Sequence, residues 1–309
     1  MGHVLSFRGE FVPARIHFEQ SLSFYSPQEH CTHSAIYGQD PGPVCLCRLG
    51  HDLWYLGYPD QSLNQAQAAL SLGQGSAHSF TRASVIGGVA WLHQLRREGA
   101  ATQESAEATI TLCVEQELPF FLAGAMIWHG WALAKKGHVD EGIGHISQGL
   151  DNYRDLGVRW GRSYFLALLA EAYGCGLQTD RALHAIAEGL ALAVEMGERW
   201  HQAELYRLKG ELTLDRLQTV DHKSHESLEA SSIHVEAQAC FQKAIEVARE
   251  QSAKSLELRA TTSLARLLRD SGRRDQARGM LAEIYHWFTE GFDTIDLKEA
   301  KALLNELSV

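Results

Sequence analysis

Small and apolar side chains recur along this 309-residue chain at positions 0, +4, +7 and +8 of short segments, the spacing that shares one face of an α-helix. The stripe reads Ala14/Phe18/Ser21/Leu22, Ser62/Ala66/Ala69/Leu70, Gly142/Ile146/Gly149/Leu150 and Ala277/Leu281/Ile284/Tyr285. Five residues before each of these stripes stands a Gly: Gly9, Gly57, Gly137 and Gly272. Two further segments keep the stripe without the Gly, Ala182/Ile186/Gly189/Leu190 and Ala237/Phe241/Ala244/Ile245. Small residues on a helix face let two helices approach closely, and the Gly predicts the turn between them.

A second helix repeats in register upstream. An apolar–small–x–x–apolar pattern precedes the turns as Leu49-Gly50…Leu53, His129-Gly130…Leu133 and Leu264-Ala265…Leu268, and Leu169-Ala170…Tyr173 stands in the same relation to Ala182. Around Trp91-Leu92…Leu95, Gly99 and Ala106 another pair is expected, with one residue slipped into its turn. This two-helix unit resembles the tetratricopeptide repeat, with spacings mostly longer than that repeat's period of about 34 residues. The expected fold is all-α: about thirteen or fourteen antiparallel helices in a right-handed tetratricopeptide-like superhelix, first helices on the concave wall and second helices on the convex one.

Composition narrows the function classes. The net charge of −10 speaks against a nucleic-acid backbone as partner, and no run of Lys or Arg marks a membrane-surface patch. The longest apolar stretch, Pro119 to Ala134, is broken by His129 and too short to span a bilayer. The first residues show no basic segment followed by a hydrophobic one, and the cysteines at 31, 45, 47, 113, 175 and 240 are scattered as reduced thiols would be. A cytoplasmic protein is the expectation.

The whole chain, 1–309, is expected to form one array with visible seams. Gly9 and Ala14 belong to a second helix with only a short segment before it, so the first repeat is expected to be truncated. Residues 217–232, rich in Ser, His and acidic side chains, are expected to be a flexible insertion. Residues 295–308 form an amphipathic helix suited to capping the last repeat.

The strings Tyr37-Gly-Gln-Asp-Pro41, Leu56-Gly-Tyr-Pro-Asp-Gln61, Ala203-Glu-Leu-Tyr-Arg-Leu-Lys-Gly-Glu-Leu212, Ala253-Lys-Ser-Leu-Glu-Leu-Arg-Ala260 and Trp287-Phe-Thr-Glu-Gly-Phe-Asp-Thr294 extend the resemblance. They are similar to the C-terminal tetratricopeptide-like region of bacterial multidomain proteins carrying an adenylate/guanylate cyclase or DNA-binding module and an AAA/STAND-type ATPase module. The resemblance implies a sensory or scaffold region that regulates such a neighbour. The catalytic modules are not in these residues: there is no G-x-x-x-x-G-K-[ST] and no H-E-x-x-H.

Three constellations carry candidate chemistry. His30, Cys31, His33, Cys45, Cys47 and His51 have zinc-type side chains, but Cys45 and Cys47, two apart on a helix, point to opposite sides, and buried thiols are the expected reading. Glu204, Arg207, Lys209 and Glu211 form i,i+3 and i,i+4 pairs, either a solvated salt-bridged face or a contact for a charged partner. Of Trp91, Trp128, Trp131, Trp160, Trp200 and Trp287, most are expected to pack between helices, with one or two, Trp131 and Trp160 among them, reaching the inner groove. No catalytic residue, cofactor or metal is expected. The expected function is a non-enzymatic protein-interaction scaffold binding a protein, a peptide or an adjacent ATPase or cyclase module through Glu204, Arg207, Lys209, Glu211, Trp131 and Trp160. The alternative is a ligand-sensing region holding a small molecule or peptide in the concave groove.

Overall fold

The computed structural model describes residues 1–26, 34, 36, 38–74, 78–219 and 226–308. Among the described residues there are fifteen α-helices and no strand. They are α1 (Gly2–Phe7), α2 (Phe11–Ser23), α3 (Pro41–Tyr55), α4 (Pro59–Gln74), α5 (Ser79–Leu95), α6 (Gly99–Glu115), α7 (Pro119–Lys135) and α8 (Val139–Asp155). There follow α9 (Arg162–Cys175), α10 (Thr179–Met196), α11 (Gln202–Thr219), α12 (Glu226–Glu250), α13 (Lys254–Asp270), α14 (Arg274–Tyr285) and α15 (Ile295–Leu307). Residues 217–232, expected as an insertion, are helical to Thr219 and again from Glu226, while 220–225 lie outside the described residues.

Six pairs are joined by the same turn. Its middle residue adopts positive φ: Gly9, Gly57, Gly137 and Gly272, and also Arg97 and Leu177. The following amide closes a Schellman bond back into the first helix, as in Tyr58 N to Leu53 O at 2.8 Å and His138 N to Leu133 O at 3.0 Å. The same bond runs from Glu98 to His93 and from Gln178 to Tyr173. Arg97 therefore corrects the reading at Gly99: no residue is slipped into that turn. Gly99 opens α6, and the small residue facing α5 is Thr102, with Ala106 one turn further on.

Close approach at the small positions joins each pair. A Cβ on Gly130 would lie 2.5 Å from the Gly142 carbonyl oxygen, and one on Gly142 would lie 2.5 Å from that of Gly130. Neither residue can carry a side chain at this spacing. Ser62 uses the same proximity to donate its hydroxyl to Gly50 O at 2.6 Å. The equivalent pairs Ala90/Thr102, Ala170/Ala182 and Ala265/Ala277 are all wholly buried. In the first helices these small residues stand 40 apart, at Gly50, Ala90, Gly130, Ala170 and Gly210, before the interval widens across the α11–α12 connection.

First helices also stack on first helices: α3 on α5, then α7, α9, α11 and α13 in turn. The superhelix closes, because α13 returns to pack on α3. Ser255 donates to the Trp54 carbonyl at 2.5 Å, and Trp287 lies so close to Gly57 that a Cβ there would sit 2.6 Å from its ring. Beyond α14 the Glu290 carboxylate accepts from the Asp60 and Gln61 amides at 3.0 and 3.1 Å, capping α4, and Asp60 in turn accepts from Gly291 N at 3.0 Å. On the other side of the ring, Phe7 O accepts from Arg199 N at 2.9 Å. The last helix, α15, packs on α13 and α14 through Leu297, Ala300, Leu303, Leu304 and Leu307.

Two substitutions test this frame. Ala277→Arg places a long cation at a wholly buried contact and should lower stability by roughly 3 kcal/mol or more through overpacking and desolvation. Circular-dichroism melts read the loss, and an unchanged midpoint would remove Ala277 from the helix–helix contact. Leu177 is exposed at φ 56°, where a side chain is strained. Leu177→Gly should therefore raise stability, by up to about 1 kcal/mol in urea titrations.

Candidate binding groove

First helices face inward, so the charges they carry within otherwise apolar runs meet at the centre of the ring. The C-terminal parts of α5, α7 and α9, the middle of α11 and α13, and the start of α15 surround a groove of about 450 Å³. Its wall is a chain of alternating charges. Arg207 grips Glu204 with two hydrogen bonds, at 2.6 and 2.9 Å, and Glu211 with an ion pair at 2.6 Å. Arg259 lies 3.8 Å from the same Glu204 and pairs with Asp296 at 2.8 Å, while a second of its nitrogens donates to Leu95 O. Arg97, from the α5–α6 turn, binds Asp296 at 3.1 Å and Glu299 at 3.0 Å, and Arg266 completes the series on Glu299 at 2.9 Å. Lys135 and Glu171 form a separate pair at 2.7 Å.

The network decides protonation. Burial alone would push the Glu204 carboxyl up, but Arg207 and Arg259 hold it far below the usual carboxylate range. Burial likewise opposes the Arg207 charge and is outweighed by Glu204 and Glu211. Asp215 is different: burial, then its neighbour Glu211, push its carboxyl up, and no cation stands within ion-pairing distance among the described residues. His201, at the start of α11, is pushed down to about 4 by burial, which Glu204 only partly offsets.

The expected site residues separate. Glu204, Arg207 and Glu211 line the groove together, and their i,i+3 and i,i+4 pairs form as their spacing predicts. The face they form is not solvated: the Glu204 side chain is only 5 % exposed and that of Arg207 13 %. Lys209 points away, toward Glu236 on α12 at 3.9 Å. Trp131 is a core residue at 2 % exposure, held there because α7 turns this face onto its neighbours. Trp160 stands at the surface, packed on Phe7 and Phe120, outside the groove. Of the zinc-type set, His30, Cys31 and His33 lie outside the described residues. Cys47 and His51, one turn apart, both face α5, with Cys47 against Val85 and His51 Nε2–H donating to Gly88 O at 2.7 Å, but Cys45 faces Ser21 instead, so the three do not converge.

Sequence reading missed Arg97, Lys135, Glu171, Asp215, Arg259, Asp296 and Glu299 as groove residues. The available signal was an ionisable residue at a first-helix position flanked by buried apolar ones, as Glu171 is between Ala170 and Ala172.

No family model and no curated protein matches the chain in sequence. Solved structures do match in shape. The apo form of RapI aligns over 99 % of this chain and 96 % of its own with TM-score 0.51 at 12 % identity. A Rap protein complexed with Competence and Sporulation Factor aligns over 99 % and 94 % with TM-score 0.53 at 11 % identity. These likenesses define the class by fold: the chain is a tetratricopeptide-like helical-repeat solenoid. Among the described residues no helix is long and apolar enough to cross a membrane.

The buried imidazole of His201 gives a pH test. Its folded-state value is lowered, so the unfolded chain takes up a proton below the ordinary 6.5 that the folded chain refuses until about pH 4. Its contribution is fully present above pH 6.5 and is lost as pH falls toward 4, by up to about 1.4 kcal/mol per pH unit. In urea titrations at pH 7.5, 6.5, 5.5 and 4.5, His201→Gln should flatten the decline relative to wild type. Parallel curves would show that His201 titrates alike in both states.

Proposed function

We propose that this chain is a non-enzymatic, cytoplasmic scaffold that takes a basic peptide, or a basic segment of a protein partner, into the groove between its first helices. Asp215 carries the reading. The groove's other carboxylates are paired with its own arginines and lysine, whereas Asp215 has no cation partner among the described residues and lies next to the partly exposed Glu211. A peptide backbone can cross a matched network without stranding a charge, and a Lys or Arg side chain completes Asp215. The groove's volume falls in the range of ligand pockets, about 300–1,000 Å³, and is too small for a folded domain. The chain's charge of −10 favours a basic occupant in the approach as well. One similar structure holds Competence and Sporulation Factor, which supports a binding role for this architecture.

The resemblance of the five sequence strings supports a wider context: the sensory or partner-binding part of a bacterial signalling ATPase or cyclase. In that setting, groove occupancy biases the activity of a joined module, and added peptide should change nucleotide turnover by the joined protein.

The direct test is peptide display against the immobilised protein, followed by calorimetry on the enriched sequences. They should carry Lys or Arg, and Asp215→Asn should weaken them about tenfold or more with little change in melting temperature. Equal affinity for wild type and Asp215→Asn would place binding outside the groove. Arg207 is unsuitable for this test, because a charge reversal there would leave Glu204 buried against a second carboxylate.

A further inference from the structure

Tyr164 bridges two compartments. Its hydroxyl donates to Gln94 of the groove wall at 2.6 Å and accepts from Trp128 Nε1 at 3.1 Å, while its ring lines a second cavity on the side of the N-terminal ends of α7, α9 and α11. That cavity is walled by Trp91, Trp128, Trp200, Phe120 and Phe165, with Trp160 at its exposed rim. Its volume is about 40 Å³, room for roughly three waters at about one probe sphere of 10–15 Å³ each.

One cation enters this aromatic enclosure. Arg48, on α3, lays its guanidinium 5.0 Å over the Trp91 ring and 6.0 Å over Phe7. Among the described residues it has no hydrogen-bond acceptor and no carboxylate within ion-pairing distance. Asp52, one turn along α3, accepts from Ser6 Oγ at 2.9 Å, and burial pushes its carboxyl toward the neutral form against the pull of Ser6 and Arg48. The nearby His3 and His51 are held neutral, both pushed down to about 3 by burial first and by Arg48 second. Two further donors belong to residues that line the same cavity: the indole N–H groups of Trp91 and Trp200 are buried without a partner among the described residues. Stacking on the rings offsets part of the desolvation of the half-buried Arg48 but supplies none of these N–H groups with an acceptor among the described residues.

From these three unpartnered donors inside apolar walls we infer that the cavity is a binding site for the carboxylate of a short apolar acid. A planar carboxylate, about the size of three waters, matches the fork of a guanidinium and fills the cavity, and its tail would run out along the aromatic wall past the exposed Trp160 rim. An ammonium ion is repelled by Arg48. A phosphate would bring more charge and more acceptor oxygens than three donors in this small space can satisfy. The site is separate from the Asp215 groove, so it stands or falls independently of peptide binding.

The test is titration of wild-type protein with butyrate, butyramide and butylamine, read by tryptophan fluorescence and calorimetry. Butyrate should saturate at millimolar concentration or below and bind at least about tenfold more tightly than butyramide, with no saturation by butylamine. Arg48→Gln should remove the preference for acid over amide. Trp200→Phe keeps an aromatic side chain, though a smaller one than the indole, loses the N–H and should weaken butyrate several-fold, which serves if Arg48→Gln fails to fold. An acetylated tripeptide acid and its amide separate the two sources of a carboxylate. Tighter binding of the peptide acid than of butyrate, with the same Arg48 dependence, assigns the site to a chain end, and the reverse assigns it to a free acid. Equal response to butyrate and butyramide in wild type, or unchanged butyrate binding in Arg48→Gln, would overturn the inference and leave Arg48 as a stacking residue.

Discussion

Where α7 meets α8, two backbones pass at a distance that admits no Cβ on Gly130 or Gly142. This contact fixes more than one pair. Close backbone approach lets the larger residues on either side interdigitate, and the Schellman turn ahead of it holds each second helix at one entry angle. Because the same small positions return in the pairs led by α3, α5, α9 and α13, the same angle is applied again and again. A fixed rotation per unit is what gives a solenoid its curvature. Here the rotation accumulates until α13 reaches α3, so the array becomes a ring and its inner wall an enclosed groove.

Closure changes what the inner charges are worth. On an open surface the pairs around Arg207 and Arg259 would each contribute little. Inside the ring they lose water, and each depends on the next for compensation. Glu204 is shared between two arginines, and Asp296 joins α13 and α15 to the α5–α6 turn. The network therefore serves as a register device: a shift of one helix against its neighbour would strand a buried charge. It also leaves the groove nearly neutral, so that recognition rests on the few groups outside the matched set.

The same inner wall has a second character nearer the N-terminal ends of α7, α9 and α11, where aromatic rings replace ion pairs. The Tyr164–Gln94 hydrogen bond and the Tyr55–His201 contact at 3.4 Å form the layer between the two halves. Trp131, expected at a binding surface, instead fills the core, which shows how little residue type says about the side of a solenoid a ring will occupy.

The helical repeat was legible in the chain because it is local. Period 3.6 fixes which side chains share a face, and the size of those side chains fixes how closely a neighbouring helix can come. The turns were legible where Gly marks positive φ and not at Arg97, where an arginine adopts that conformation and a Gly stands two residues later, inside the next helix. The i,i+3 and i,i+4 partners of Arg207 were legible for the same local reason, but their burial was not. Only the tertiary structure decided that Arg97, Glu204, Arg259 and Asp296, almost 200 residues apart at the extremes, belong to one network. No local pattern encodes that meeting, because it depends on the sum of the inter-helix rotations around the ring, and a small change in each would carry α13 past α3.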